Sequence, residues 1–332
     1  MKVRALAFLS LLLLSGCQQQ APVVSISGDY LGNPVYGGAM TLAWKDLSEN
    51  IVGEPVQLQL TEQDAEAQAL VDQFNAATFS TDDLDEENYY VKSGYGQETV
   101  DLVNKESREK FPDKSFSDLS VQLEPLDILT YAYFLVQVKY PLAFKEGTME
   151  FMDENVESFY THSDEQRENV EVLHYWDNDK FILRLKVNED GEDLIVAKGF
   201  DMENPDAILA AVTKYTDSEG SLDDSEFFEM PKLHLDYSYS YDDLLGKYLA
   251  NLGFEDYKIT EMFENIKFDM DHEGARVENE AVIQVMYDGL LPSAEESREF
   301  ILNKPFWVVM KKSDSTDPYF MLGVNNTVVM ER

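Results

Sequence analysis

The chain has 332 residues and carries 64 Asp and Glu against 26 Lys and Arg, a formal net charge of −38 at pH 7. That balance argues against a nucleic-acid partner and against electrostatic docking on anionic lipid, while a saline habitat would screen the self-repulsion and basic partners would be steered in. A hydrophobic share of 44%, with 19 Phe, 18 Tyr and 3 Trp, suffices for the packed interior of one large domain or two small ones.

Met1 to Cys17 reads as a targeting segment. Lys2 and Arg4 make a positive start, and Ala5 to Leu14 is an apolar run too short to span a bilayer as a mature helix. Leu14-Ser15-Gly16-Cys17 looks like a bacterial lipobox, which would leave Cys17 acylated (palmitate) at the mature N-terminus; a plain secretory signal with a chance cysteine is the alternative. Gln18 to Pro22 is a polar tether, and Gln18 after the cysteine resembles lipoproteins sorted to the outer membrane. The expected organisation is a signal over 1–16, a lipidated cysteine and tether over 17–29, and a single domain over 30–332. Losing Lys2 and Arg4 takes the charge from −38 to −40. Cys17 is the sole cysteine, so the mature fold has no disulfide and no thiolate site.

Thr61 is placed to cap an amphipathic helix over about 62–75, with Ala67, Leu70, Val71 and Phe74 on one face. Asp82 to Glu87 is an acidic turn without EF-hand spacing, better read as a solvated loop than as a calcium site. Thr99 to Lys110 reads as a second helix. The run Ile128 to Val138, rich in β-branched and aromatic residues, suggests a central strand covered on both faces. Strands over 180–187 and 193–197 flank the turn signal Asn188-Glu189-Asp190-Gly191. Asn204-Pro205 starts a helix with the stripe Ile208, Leu209, Ala211, Val212 and Tyr215. A further helix is expected from about Tyr241 to Leu252, stopped by Gly253. The order of elements makes the class α+β rather than regular βαβ winding.

From Ala275 the residues alternate. Ala275, Val277, Asn279, Ala281, Ile283 and Val285 would share one face, and Arg276, Glu278, Glu280, Val282, Gln284 and Met286 the other. Asp288-Gly289 signals a turn, and Pro292 with Glu295 and Glu296 an exposed segment. Phe306 to Met310, a turn over 313–318 and Tyr319 to Val324 read as a closing hairpin. On these signals alone, a permanent strand, a surface loop and a hairpin describe the region.

The same stretch resembles the C-terminal end of a serpin, through Glu273-Gly274, Phe300-x4-Pro305-Phe306 and Phe320-Met321-x-Gly323. Val100 to Lys110 followed by Phe116 to Leu119, the strand Ile128 to Phe144, Met230-Pro231-Lys232-Leu233 and the segment Tyr241 to Gly253 are similar to serpin segments in the family's order, covering about two thirds of the chain. The resemblance implies a large central, mostly antiparallel sheet with flanking helices and an exposed C-terminal reactive loop. It makes Glu273, Gly274, Ala275, Arg276 and Val277 the hinge, and it puts the scissile position among Asp288, Gly289, Leu290 and Leu291, with Leu290 or Leu291 preferred. It implies a serine or cysteine protease as partner, trapped when the acylated loop inserts as a strand, with no cofactor and no catalytic residue supplied by this chain. A monomer held to the membrane by its lipid is expected. The chain also departs from the family. The Ser-Pro-x-Ser-Ile segment is absent, with Val35 to Met40 in its place; the shutter histidine would fall near Glu264 or Asn265; the central-strand asparagine is Tyr131; and the hinge lacks the family's alanines. Those departures leave open a non-inhibitory binding or structural lipoprotein.

An enzyme is not expected, because no nucleophile elbow, phosphate loop or dinucleotide fingerprint is present. Asp269-x-Asp271-His272-Glu273 offers oxygen and nitrogen ligands, but on a strand they would split between two faces, so no metal site is expected there.

Overall fold

The computed structural model describes residues 28–277 and 298–332. Its first part contains β1 (Asp29–Tyr30), β2 (Asn33–Gly37), α1 (Ala39–Asp46), α2 (Ala65–Ala76), β3 (Tyr89–Tyr95), α3 (Gly96–Lys110), β4 (Ile128–Phe134) and β5 (Val136–Lys139). There follow β6 (Lys145–Phe151), β7 (Glu154–Tyr160), α4 (Asp164–Arg167), β8 (Val170–Asp177), β9 (Lys180–Leu185), β10 (Glu192–Lys198) and α5 (Pro205–Lys214). The last part holds β11 (Gly220–Ser221), β12 (Phe227–Pro231), β13 (Leu233–Ser240), β14 (Phe263–Met270), β15 (Gly274–Val277), β16 (Glu299–Ile301), β17 (Phe306–Lys312) and β18 (Pro318–Val324).

Eight strands form one antiparallel sheet in the order β1-β2-β18-β17-β10-β9-β8-β11. Its central strands are apolar on both faces because both faces are covered. Trp307, Val309, Ile195, Ala197 and Met321 pack on Ile208, Leu209 and Val212 of α5. The alternate residues Phe306, Val308, Met310, Leu194, Val196, Phe320 and Leu322 point into the main core. α5 begins where expected: the Asn204 side chain accepts from the Ala207 amide at 3.3 Å, and Pro205 follows it. The β9–β10 and β17–β18 hairpins also form as expected. The α+β class with a large, mostly antiparallel sheet and flanking helices is therefore the observed one.

Two four-stranded sheets complete the β-structure with the pair β3-β4: β16-β12-β7-β6, in which β12 and β16 run parallel, and β13-β14-β15-β5. A third apolar cluster, including Trp44, Val56, Val71, Phe74, Tyr241 and Leu244, lies under α1 and α2.

Three expectations need correction. The helix near 62–75 begins at Ala65 with Asp64 as its cap residue; Thr61 instead donates its hydroxyl to the Asp64 carboxylate at 2.7 Å. The strand expected over Ile128 to Val138 is broken at Leu135, whose amide donates to Asn88 O at 2.9 Å, and only Tyr133 of β4 is buried, so that strand is not covered on both faces. The helix expected from Tyr241 to Leu252 is a single 3-10 turn, Asp242–Leu244. Gly246 takes a left-handed φ of 76°, and the amides of Leu249 and Ala250 donate to Tyr257 O and Gln57 O instead of continuing a helix.

Candidate functional site

The hinge begins with a turn made by one carboxylate. Asp271 Oδ1 accepts from the amides of Glu273 at 2.7 Å and Gly274 at 3.3 Å, while the Asp271 amide donates to Gly274 O at 3.0 Å. This reverses β14 into β15, with Met270 opposite Ala275 and Asp269 opposite Arg276.

β15 is paired along its other edge as well. Gly274, Ala275, Arg276 and Val277 lie opposite Lys139, Val138, Gln137 and Val136 of β5. Just before it, the carbonyls of His272 and Glu273 accept from Phe144 N at 2.8 Å and Tyr140 N at 3.0 Å. Glycine is required at 274 by proximity: a Cβ there would stand 2.2 Å from Val138 O and 2.9 Å from Lys139 Cα. Ala275 is buried beside Val138 and Met270. All five expected hinge residues are thus brought together between two strands.

β4 pairs along its whole length with β3, and β14 pairs along its whole length with β13. α1 packs against both β4 and β14. A strand continuing the β14 register three and five residues past Arg276 would come opposite Ile266 and Glu264. Glu264 is buried; it accepts from the Met40 amide in the first turn of α1 at 3.1 Å and from the Tyr241 hydroxyl at 3.2 Å. The sequence marked this position only as lacking the family's histidine. A buried carboxylate tying α1 to β14 gives no sequence signal, because its partners are an amide and a tyrosine on other elements.

The polar residues around the turn are divided among separate partners. His234 Nδ1 lies 2.6 Å from Asp269 Oδ1, and His272 Nδ1 lies 3.5 Å from Glu146 Oε1. Asp271 is engaged by backbone amides, and Glu273 is exposed. Among the described residues no three His, Asp or Glu side chains converge as a metal site. Lys232, buried, reaches Glu146 at 2.7 Å and Glu157 at 2.9 Å. Hydrogen bonding from Lys232 holds the Glu146 carboxyl below its usual range. Burial pulls the Lys232 ammonium down, but the two carboxylates more than reverse this and leave it above the ordinary lysine value.

The reactive-loop residues Asp288, Gly289, Leu290 and Leu291, and Cys17, lie outside the described residues. The chain is described again from Arg298, which pairs with Glu226 and stacks over Tyr175 and Phe300 at 5.3 and 5.4 Å. The Glu299 amide donates to Asn178 Oδ1 at 3.1 Å. Lys198, 3% exposed, is the hub: its ammonium donates to Ile301 O and Asn303 Oδ1 at 2.9 Å each and to Asn178 O at 3.1 Å, and lies 3.2 Å from Asp179. Burial lowers the Lys198 pKa. Lys304 adds a pair with Asp179 at 2.8 Å. Sequence reasoning missed Lys198, since a lysine at a strand end ordinarily reads as solvated.

No family model and no curated protein matches the chain. Among solved structures it is similar to Serpin48, described as a highly specific serpin in the insect Tenebrio molitor, at 12% identity over 89% of this chain and 92% of that one, with a TM-score of 0.48. It is also similar to human glycosylated kallistatin, at 18% identity over 69% of this chain and 64% of that one, with a TM-score of 0.43. Likeness at this level leaves the activity to be argued from the residues of this chain.

Proposed function

We propose that this chain is a serpin-like surface lipoprotein that inhibits a serine or cysteine protease by inserting its loop as a strand after the protease has been acylated. One observation carries the reading: Gly274 to Val277 pair with β5 along one edge, and Ala275 and Arg276 pair with β14 along the other, so a strand lengthening from here starts with a neighbour on each side. A strand that extends β15 satisfies two rows of backbone groups at once. In the proposed reaction the protease serine or cysteine attacks a loop carbonyl near Leu290 or Leu291 and the C-terminal side of that bond leaves. The acylated end is then carried along as the strand lengthens. The chain supplies no catalytic residue, acts as a monomer, and is held through Cys17 at the cell envelope, in the outer membrane.

A second reading, a non-inhibitory binding or structural lipoprotein, is favoured by the register itself. Insertion sets Asn279 on the face shared with buried Ala275, opposite buried Ile266, and desolvating its amide without a partner costs about 1–3 kcal/mol. An insertion slowed by that amount lets the acyl-enzyme hydrolyse first.

The two readings separate on a denaturing gel after mixing the chain with a panel of serine and cysteine proteases. A covalent band at the summed mass less the released C-terminal fragment is the expected result. Cleavage without such a band, together with a melting temperature that rises on cleavage, supports the second reading. Cleavage with unchanged melting temperature overturns insertion altogether.

A further inference from the structure

Three non-glycine residues among those described have a positive φ: Leu31 at 54°, Met152 at 47° and Asp153 at 72°. A left-handed backbone is strained for a bulky apolar residue, and such strain persists where the surroundings impose it. Leu31 and Met152 each sit at the tip of a hairpin, β1–β2 and β6–β7, with their side chains 67% and 54% exposed. Both tips are two-residue loops with positive φ at each central position, which the hairpin twist favours, but Asn, Asp or Gly is usual there, so an outward Leu31 and Met152 are not what the turn alone selects.

The two tips belong to one pole of the molecule. The Asn326 side chain donates to Leu31 O at 2.8 Å and accepts from the Val328 amide at 3.1 Å, and Val328 is itself 46% exposed. Buried Asn33 braces this arrangement, donating to Asn326 Oδ1 at 3.0 Å and accepting from the Asn325 amide at 2.8 Å. The Thr327 hydroxyl donates to Glu154 at 3.0 Å, which ties the Met152–Asp153 turn to the same end. The described chain starts at Gly28, three positions before Leu31, and Cys17 precedes Gly28 by eleven positions. Eleven residues span at most about 40 Å, so a lipid on Cys17 would keep this pole within that distance of the bilayer. Charged residues near the tips include Asp29, Asp153, Glu154, Glu331 and Arg332, with Arg332 paired to Glu154 at 2.7 Å. They also include Lys304, which is paired with Asp179 and follows Asn303, whose carbonyl accepts from the Met152 amide at 3.3 Å. A predominantly acidic surround disfavours anionic headgroups.

We propose that this pole is a membrane-facing surface, which seats Leu31, Met152 and Val328 in the headgroup–acyl boundary of a zwitterionic bilayer. It rests on the reading of Cys17 as the anchor and adds an orientation: the domain lies on the lipid instead of swinging free on its tether.

The test uses the full chain with phosphatidylcholine vesicles and an environment-sensitive thiol dye at Leu31→Cys, Met152→Cys or Val328→Cys. Leu252→Cys, 90% exposed in another part of the fold, is the control. The unsubstituted chain serves as the label blank, and its mass reports whether Cys17 is acylated. The expected result is a blue shift at the three pole positions and none at 252. Replacing all three by Asp should reverse the seating, with a roughly tenfold or greater loss of vesicle-bound chain once the anchor is cleaved off. Acylated chain that floats with vesicles while the pole dyes stay at their aqueous wavelength overturns the seating and leaves the anchor intact. An unacylated Cys17 with shifted pole dyes overturns the anchor and keeps the surface. Pole dyes that shift without vesicles as the chain doubles in size make the pole a self-association face, and also overturn the proposal.

Discussion

The two ends of the segment between β15 and β16 are fastened by different physics. At the near end, Gly274 to Val277 are held by the backbone ladder with β5, and Ala275 and Arg276 by that with β14 as well; the one buried side chain described there is an alanine methyl. At the far end, β16 is a three-residue parallel strand, and its fastening is in side chains: Lys198, Arg298, Lys304 and Asn178. A ladder grows one residue at a time, since each added residue repeats the same bonds. A set of side-chain pins resists until a specific contact breaks. The contrast gives the proposed insertion a direction, from Gly274 onward, with the far end as the fixed point.

The largest test of that contrast is Lys198→Met. It removes three charge-assisted hydrogen bonds to Ile301 O, Asn178 O and Asn303 Oδ1, acceptors on half-buried or exposed residues, so the expected loss is about 2–3 kcal/mol. Amide exchange over 299–304 should rise by orders of magnitude while that over 274–277 stays near its native value. If both ends open together, they are one cooperative unit and the contrast fails. Lys198→Arg, which keeps the charge but not the shape of the ammonium, should restore part of the protection.

Gly274→Ala strikes the other end. Its methyl would meet Val138 O at 2.2 Å, so β15 has to leave β5, at a cost of about 1–3 kcal/mol. Exchange should now rise over 274–277 and 136–139, leaving 299–304 protected. In the protease assay this variant should be cleaved without a covalent band, because the strand has lost its starting register. Trapping at wild-type levels would remove β15 from the mechanism.

What the sequence could and could not disclose follows the same division between local and distant causes. The hairpin around Asn188 to Gly191, the Asn204-Pro205 helix start and the β17–β18 hairpin were legible because turn and cap residues act within a few positions. Glu273-Gly274 and the alternation from Ala275 marked the start of a strand, and β15 begins at Gly274. Its pairing with β5 was not legible, since Lys139 is 135 positions from Gly274 and antiparallel contact at that range leaves no local pattern. The failed helix after Tyr241 shows the opposite error: the stop signal at Gly253 suggested a helix before it, and bonds to Gln57 and Tyr257 override one. Lys198 and Glu264 were invisible for a related reason, since a charge reads as solvated until its distant partners are known.

Acid gives the smallest and most selective probe of the two ends. Hydrogen bonds from Lys304 first and Lys198 second hold the Asp179 carboxyl below its ordinary 3.8. A carboxylate with a depressed folded pKa stabilises the native state fully above the unfolded value, and that contribution disappears as pH falls through the lower folded value. Asp179 is 61% exposed, so solvent screens the pair and the effect should be a fraction of a kcal/mol, shrinking further in salt. At the near end Glu146 is also depressed, chiefly by Lys232, but its bonds run to side chains, whereas the β15 ladder consists of amides and carbonyls that do not titrate. Lowering the pH from about 5 to about 3 should therefore raise exchange over 299–304 before it does so over 274–277, and Asp179→Asn should abolish that ordering by removing the titrating pin. If the near end opens first, the charge network around Lys232 rather than the backbone ladder holds the hinge, and the direction assigned to insertion loses its physical basis.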